Sequence, residues 1–134
     1  MLQQSTDVLP LRDDRDVVRV RQIVRDKTAR LGFSLIDQTK VVTAASELAR
    51  NTVLHGGGGT VTLESLRNDT RIGIRLCFED HGPGIPDIEL ALRDGYTTKK
   101  GLGLGLSGSR RLMNEFEIES TPGVGTKVRV TRWK

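Results

Sequence analysis

The feature that most restricts what this chain can fold into is the placement of its 15 glycines. Most stand in four tight groups: Gly56 to Gly59, Gly82 with Gly84, the alternating series Gly101, Gly103, Gly105 and Gly108, and Gly123 with Gly125. Glycine loses the most conformational freedom on folding, so such groups belong where the chain turns sharply or where backbone must come close to something else. Between the groups run helical and strand-like patterns. A length of 134 residues suits one domain, 1–134, with one core.

Those patterns predict the order β-α-α-β-β-α-α-β-β. Thr6 to Leu11 reads as an edge strand, because Pro10 has no N–H for a ladder bond. Asp13, Asp14 and Asp16 supply a cap and first-turn acids for a helix whose apolar positions Val17, Val20, Val24 and Leu31 keep helical spacing up to Gly32. Ser34 and Asp37 form an S-x-x-D capping box for a second helix, which ends near Leu54 with the stripe Val41, Val42, Ala45, Leu48, Ala49 and Val53. Period two then gives strands at Val61 and Leu63 and at Ile72, Ile74, Leu76 and Phe78. A short helical piece from Pro86 to Arg93 and a helix from Leu104 to Asn114 follow, then strands Phe116 to Ser120 and Thr126 to Trp133. Hairpins mixed with paired helices predict an α+β two-layer sandwich, a mainly antiparallel sheet with helices on one face.

Composition narrows the function. The net charge is +4, but basic residues alternate with acids, as in Arg12-Asp13-Asp14-Arg15-Asp16, and only three Phe, one Tyr and one Trp are available to stack on bases. A solvated mixed-charge surface accounts for this better than a nucleic-acid interface. The excess positive charge can still attract a polyanion or an acidic partner. One cysteine, Cys77, excludes an internal disulfide and a zinc cluster. No apolar run is long enough to span a membrane and the first residues lack a signal-peptide layout, so a cytoplasmic protein is expected.

Three stretches carry chemistry. Glu47, Asn51 and His55 are four apart and form one ridge beside the apolar stripe of the second helix. A carboxylate there can act as a general base, and an amide oxygen can ligate a hard cation such as Mg²⁺. The bland alternative is a polar helix edge. In Glu79-Asp80-His81-Gly82-Pro83-Gly84-Ile85-Pro86 a strand ends in an acid that can accept from an exocyclic amine such as that of adenine, with Gly82 and Gly84 letting backbone pass a flat ring. A simple Gly-Pro turn explains this piece equally well. In Lys99-Lys100-Gly101-Leu102-Gly103-Leu104-Gly105-Leu106 glycines lead into a helix whose free N–H groups suit phosphate, with Lys99 or Lys100 near its end. A glycine hinge is the alternative, and it is compatible with a loop that closes over nucleotide. Gly103-x-Gly105-x-x-Gly108 matches a dinucleotide fingerprint only poorly, since it follows a basic loop and lies in no β-α-β unit.

The order of these stretches resembles the GHKL ATPase/kinase superfamily, whose nucleotide site is the Bergerat fold. Glu47 with Asn51 is similar to its N-box, Asp80 to Gly84 to its G1 box, Gly101 to Gly105 to its G2 box, and Gly123-Val124-Gly125-Thr126 to its closing turn. The likeness implies ATP and Mg²⁺, with Glu47 as general base and Asn51 on the metal. It implies that Asp80, Gly82, Gly84, Ile85, Lys100, Gly101, Leu102, Gly103, Leu104, Gly105, Leu106 and Thr126 contact nucleotide, Thr126 near adenine.

Within the superfamily, Ser46 to Asn51, Glu79 to Asp87, Asp94 to Thr98 and Arg111 to Phe116 resemble the switch kinases of bacterial partner-switching modules. These are protein serine/threonine kinases. The resemblance implies phosphorylation of STAS-domain scaffold proteins, then release to activate a PP2C-type phosphatase. Two alternatives stay open: an anti-sigma factor kinase that holds a sigma factor, and a nucleotide-gated binding module without transfer. A histidine kinase fits less well, since His55 and His81 both lie inside nucleotide motifs and no dimerisation helix is evident. An ATPase clamp would be expected to carry a further transducing domain.

Overall fold

The computed structural model describes residues 2–92 and 104–134. The elements run β1 (Leu2–Leu11), α1 (Asp14–Arg30), α2 (Leu35–Leu54), β2 (Gly59–Arg67), β3 (Ile72–Asp80), α3 (Ile88–Ala91), α4 (Leu104–Leu112), β4 (Glu115–Thr121) and β5 (Gly125–Trp133). The five strands form one antiparallel sheet in the order β1-β2-β3-β5-β4, as the hairpin pattern predicts.

Strand register shows why the sheet takes its helices on one side. Leu9, Val61, Phe78, Val128 and Ile118 lie opposite one another across all five strands, and Leu63, Leu76, Val130 and Phe116 make the next row. Side chains alternate between faces with period two, so both rows point the same way and must be covered. The cover is α1, through Val17, Val20 and Val24, and α2, through Val41, Ala45, Leu48 and Ala49, with Leu106 and Met113 completing the core. Alanines on the buried side of α2 let helices approach closely, and α2 packs between α1 and α4. Thr28 and Thr52, buried in these helices, donate their hydroxyls to the carbonyls of Val24 and Leu48, so neither is stranded. The opposite sheet face is largely polar and carries the pair Arg129–Glu117. Cys77 lies half-buried on it, and burial pushes its thiol pKa up.

Caps stand where the sequence puts them, with one change. Asp13 caps α1 by accepting from Arg15 N–H at 3.0 Å, and Ser34 caps α2 by accepting from Asp37 N–H at 3.1 Å. The Asp37 carboxylate is taken by Arg132, 3.0 Å away on β5, so the box is made from one side only. Two other ends differ. β1 is longer than the predicted Thr6–Leu11, and α4 stops at Leu112, where Asn114 Oδ1 accepts from the N–H of Trp133 at 2.6 Å.

Asp16 performs a second capping function. Its carboxylate accepts from the backbone N–H and the side chain of Arg12, at 2.8 and 2.9 Å, and its residue is buried. The Arg12 guanidinium and N–H hold its pKa at about 2, against an ordinary 3.8. A carboxyl depressed in the folded state contributes stability that is fully present above its unfolded pKa and is lost as the pH falls through the folded one. Urea midpoints of the wild type should therefore fall between about pH 4 and 2 more steeply than those of Asp16→Asn. Parallel curves would assign the acid sensitivity to other carboxylates.

Candidate functional site

At one edge of the sheet the helix-covered face turns polar. Beyond Phe78 and Val128 the next aligned positions are Gly59, Asp80, Thr126 and Ser120, one from each of β2, β3, β5 and β4. The hydrophobic layer therefore ends at this edge of the sheet and a line of polar groups begins. Asp80 Oδ1 is already used: it accepts from Gly82 N–H at 2.9 Å and from Thr126 N–H at 3.2 Å. Two bonds fix the carboxylate and leave Oδ2 as an acceptor for something else.

The loop after β3 is clamped from the far side. Gly123 N–H donates to Pro83 O at 2.8 Å, and Ile85 N–H donates to Ser120 Oγ at 2.7 Å. Ile85 itself is buried. The β4–β5 hairpin thus holds the backbone of the loop that carries Gly82 and Gly84 at two points, once through its own backbone and once through the Ser120 side chain.

The end of α2 closes against the same place. The helix stops because Gly57 and Gly58 take φ of +73° and +103°, left-handed values that other residues rarely adopt. Gly56 then lies so close to Asp80 that a Cβ on it would stand 2.4 Å from the Asp80 Cβ. A Cβ on Gly82 would stand 2.7 Å from the Gly56 Cα. Three backbone segments meet here with no room for a methyl group. The tetraglycine run is therefore a packing surface for the carboxylate as well as a turn.

The Glu47–Asn51–His55 ridge leads along α2 to this point. Glu47 is half-exposed and 3.5 Å from Arg50 Nη1, an exposed pair of little energetic weight. Asn51 is more enclosed: its carbonyl accepts from His55 N–H and Gly56 N–H, and its side-chain nitrogen is buried with no hydrogen-bond partner among the described residues. A buried amide left unpaired costs free energy unless a ligand completes it. Leu104 and Gly105 fall in the first turn of α4, and Leu106 is buried beneath it. Lys99, Lys100, Gly101, Leu102 and Gly103 lie outside the described residues.

His81 takes no part in the row. It is exposed and lines a cavity of about 200 Å³ that Asp80 and Thr126 of the row share with Glu79, Glu119 and Lys127, residues next to row positions along their strands. The residues that sequence reasoning missed are Gly56 and Ser120. Alternation along β4 places Ser120 on the inner face with Phe116 and Ile118, but its partners become visible only through register.

The family described as Histidine kinase-, DNA gyrase B-, and HSP90-like ATPase matches residues 36–134. Over 118 residues the chain is 43% identical to a Bacillus subtilis protein named serine/threonine-protein kinase RsbT, covering 88% of this chain and 89% of that one. It is 34% identical over 119 residues to an anti-sigma F factor of a Thermoanaerobacter species, covering 84% and 82%. Among solved structures, the RsbU and RsbW domains of a Mycobacterium tuberculosis protein superpose with a TM-score of 0.65 at 19% identity, over 98% of this chain and 33% of that one. The SiaB–SiaC complex of Pseudomonas aeruginosa gives 0.58 at 14%, over 98% and 91%. These two likenesses bear on fold alone. The polar sheet row, the glycine contacts around Asp80 and the matched span agree: the chain belongs to the histidine kinase-, DNA gyrase B- and HSP90-like ATPase family.

Proposed function

We propose that this chain is an ATP-dependent protein serine/threonine kinase of a partner-switching module, a single domain at work in the cytoplasm. It phosphorylates STAS-domain scaffold proteins and, once released from them, activates a PP2C-type phosphatase. The observation that carries the transfer step is the position of Glu47 on the ridge that ends at Asp80. From Glu47 to Gly56, which touches Asp80, the helix advances about 13 Å. A nucleotide whose base sits at Asp80 can therefore lay its sugar and phosphates along α2 and bring the terminal phosphate toward Glu47. The serine/threonine kinase name borne by the Bacillus subtilis relative supports the same activity.

Asp80 Oδ2 accepts from the exocyclic amine of adenine, and Thr126 stands beside it. The phosphates lie against the N–H groups of the first turn of α4, with Gly101, Gly103 and Lys100 in the segment that precedes it. Asn51 fits Mg²⁺: a half-turn of its amide places an oxygen where the unpaired nitrogen stands, and Mg²⁺ takes few protein oxygens when phosphates supply others. Bound there, the ion would neutralise phosphate charge. Glu47 takes the proton of the attacking serine or threonine hydroxyl; the rest is positioning.

Asp80→Asn tests the base site. The amide oxygen can still accept from Gly82 and Thr126, but an NH₂ then meets the adenine amine, donor against donor. ATP affinity should fall about tenfold to hundredfold, the worth of a hydrogen bond to a charged group, while ITP, which offers an oxygen there, loses less. Calorimetric titration with both nucleotides measures this. An unchanged preference for ATP would show that Asp80 does not read the base. For the transfer itself, labelled ATP is incubated with the chain and a STAS-domain acceptor. Nucleotide-dependent binding without label transfer would favour the binding module, and capture of a sigma factor would favour the anti-sigma kinase, as the named Thermoanaerobacter relative suggests.

A further inference from the structure

Ser120 joins more of the site than any residue assigned to it above. Its Oγ accepts from Ile85 N–H at 2.7 Å, lies 2.9 Å from Thr126 Oγ1 and 3.3 Å from Gly125 O. A hydroxyl has one proton and two lone pairs, and this one is surrounded by partners for all three. With Ile85 N–H on one lone pair, two arrangements remain. If Ser120 donates to Gly125 O, Thr126 donates to Ser120 and shows the cleft only lone pairs. If Ser120 donates to Thr126, the Thr126 proton is released toward the cleft.

We infer that Ser120 is a positioning residue for the nucleotide, acting through Thr126 and the Ile85 backbone. It anchors the Thr126 hydroxyl beside the Asp80 carboxylate and decides whether that hydroxyl offers a proton or a lone pair. A base that presents an amine to Asp80 and a ring nitrogen next to it needs an acceptor and a donor side by side. The Ser120 rotor supplies the second without moving any heavy atom. The same oxygen, through its bond to Ile85, helps hold the loop bearing Gly82 and Gly84 against the β4–β5 hairpin, so the Thr126 hydroxyl and the loop beneath the base share one partner. The inference rests on the reading of Asp80 and Thr126 as the base site.

The test is a double-mutant cycle on ATP affinity in the full chain, with Ser120→Ala, Thr126→Val, the double variant and Ser120→Thr. Ser120→Ala should weaken ATP about tenfold and Ser120→Thr, which keeps the hydroxyl, should restore it. In the Thr126→Val background Ser120→Ala should cost less than it does alone, because the Thr126 route is already cut and only the Ile85 bond is left to lose. Losses that simply multiply would overturn the inference, as would a lowered melting temperature of the nucleotide-free Ser120→Ala protein with unchanged affinity. If Thr126→Val weakens ATP and Ser120→Ala is silent, the inference fails alone. If Thr126→Val and Asp80→Asn both leave the preference for ATP over ITP untouched, the base site itself is misplaced and the inference falls with it.

Discussion

Replacement of Glu47 by alanine is expected to lower phosphoryl transfer about a thousandfold while ATP binding stays within about threefold of wild type. The separation follows from where Glu47 stands. It is roughly 13 Å along α2 from the Gly56–Asp80 contact, half-exposed and, among the described residues, paired with Arg50, so its loss removes no group that touches the base. Glu47→Gln is the sharper form, since it keeps shape and hydrogen bonding but cannot take up a proton at neutral pH. Single-turnover transfer to a STAS-domain acceptor, with ATP affinity measured in parallel, reads both quantities. A fall in affinity equal to the fall in rate would mean that Glu47 holds nucleotide; an unchanged rate would mean that another group is the base.

Much of this architecture is legible along the chain because it is periodic. Val61 and Leu63, Ile74 to Phe78 and Val128 with Val130 alternate, and each pair faces the helices as alternation requires. Ser34 announces the start of α2 by its own chemistry. Where periodicity is absent, legibility stops. The first residues of β1 have no alternating apolar pattern, and they form a strand through pairing with β2, across a register shift between Gln3 and Ser5. Asp37 illustrates competition: a capping box is a local proposal, and an arginine 95 residues away takes the carboxylate.

The candidate site divides along the same line. Glu47, Asn51 and Asp80 are readable because a helix ridge and a strand end are local patterns. Ser120 is not, because a serine in a strand becomes a junction only once β4 and β5 are in register and the loop after β3 folds back on them. Gly56 could be read as a helix stop, but not as the wall against which the Asp80 carboxylate rests.

That wall yields the last prediction. Gly56→Ala puts a methyl carbon 2.4 Å from both Cβ and Cγ of Asp80 and 2.5 Å from its Oδ2. The nearest atom includes the root of the side chain, so a change of rotamer cannot relieve the clash; the α2 terminus and the end of β3 must separate. Separation costs about 1–3 kcal/mol as overpacking and removes Asp80 from its bonds to Gly82 and Thr126. Together with the lost charged hydrogen bond, ATP affinity should drop by about a hundredfold or more. Gly57→Ala is the matching control. Nothing lies within 4 Å of its would-be Cβ, but its φ of +73° makes alanine strained there by about 1–2 kcal/mol. Denaturant unfolding should therefore register both variants as destabilised, while ATP titration separates them: Gly57→Ala binds normally and Gly56→Ala does not. Normal binding by Gly56→Ala would mean that the Asp80 carboxylate does not have to stay where the glycine holds it.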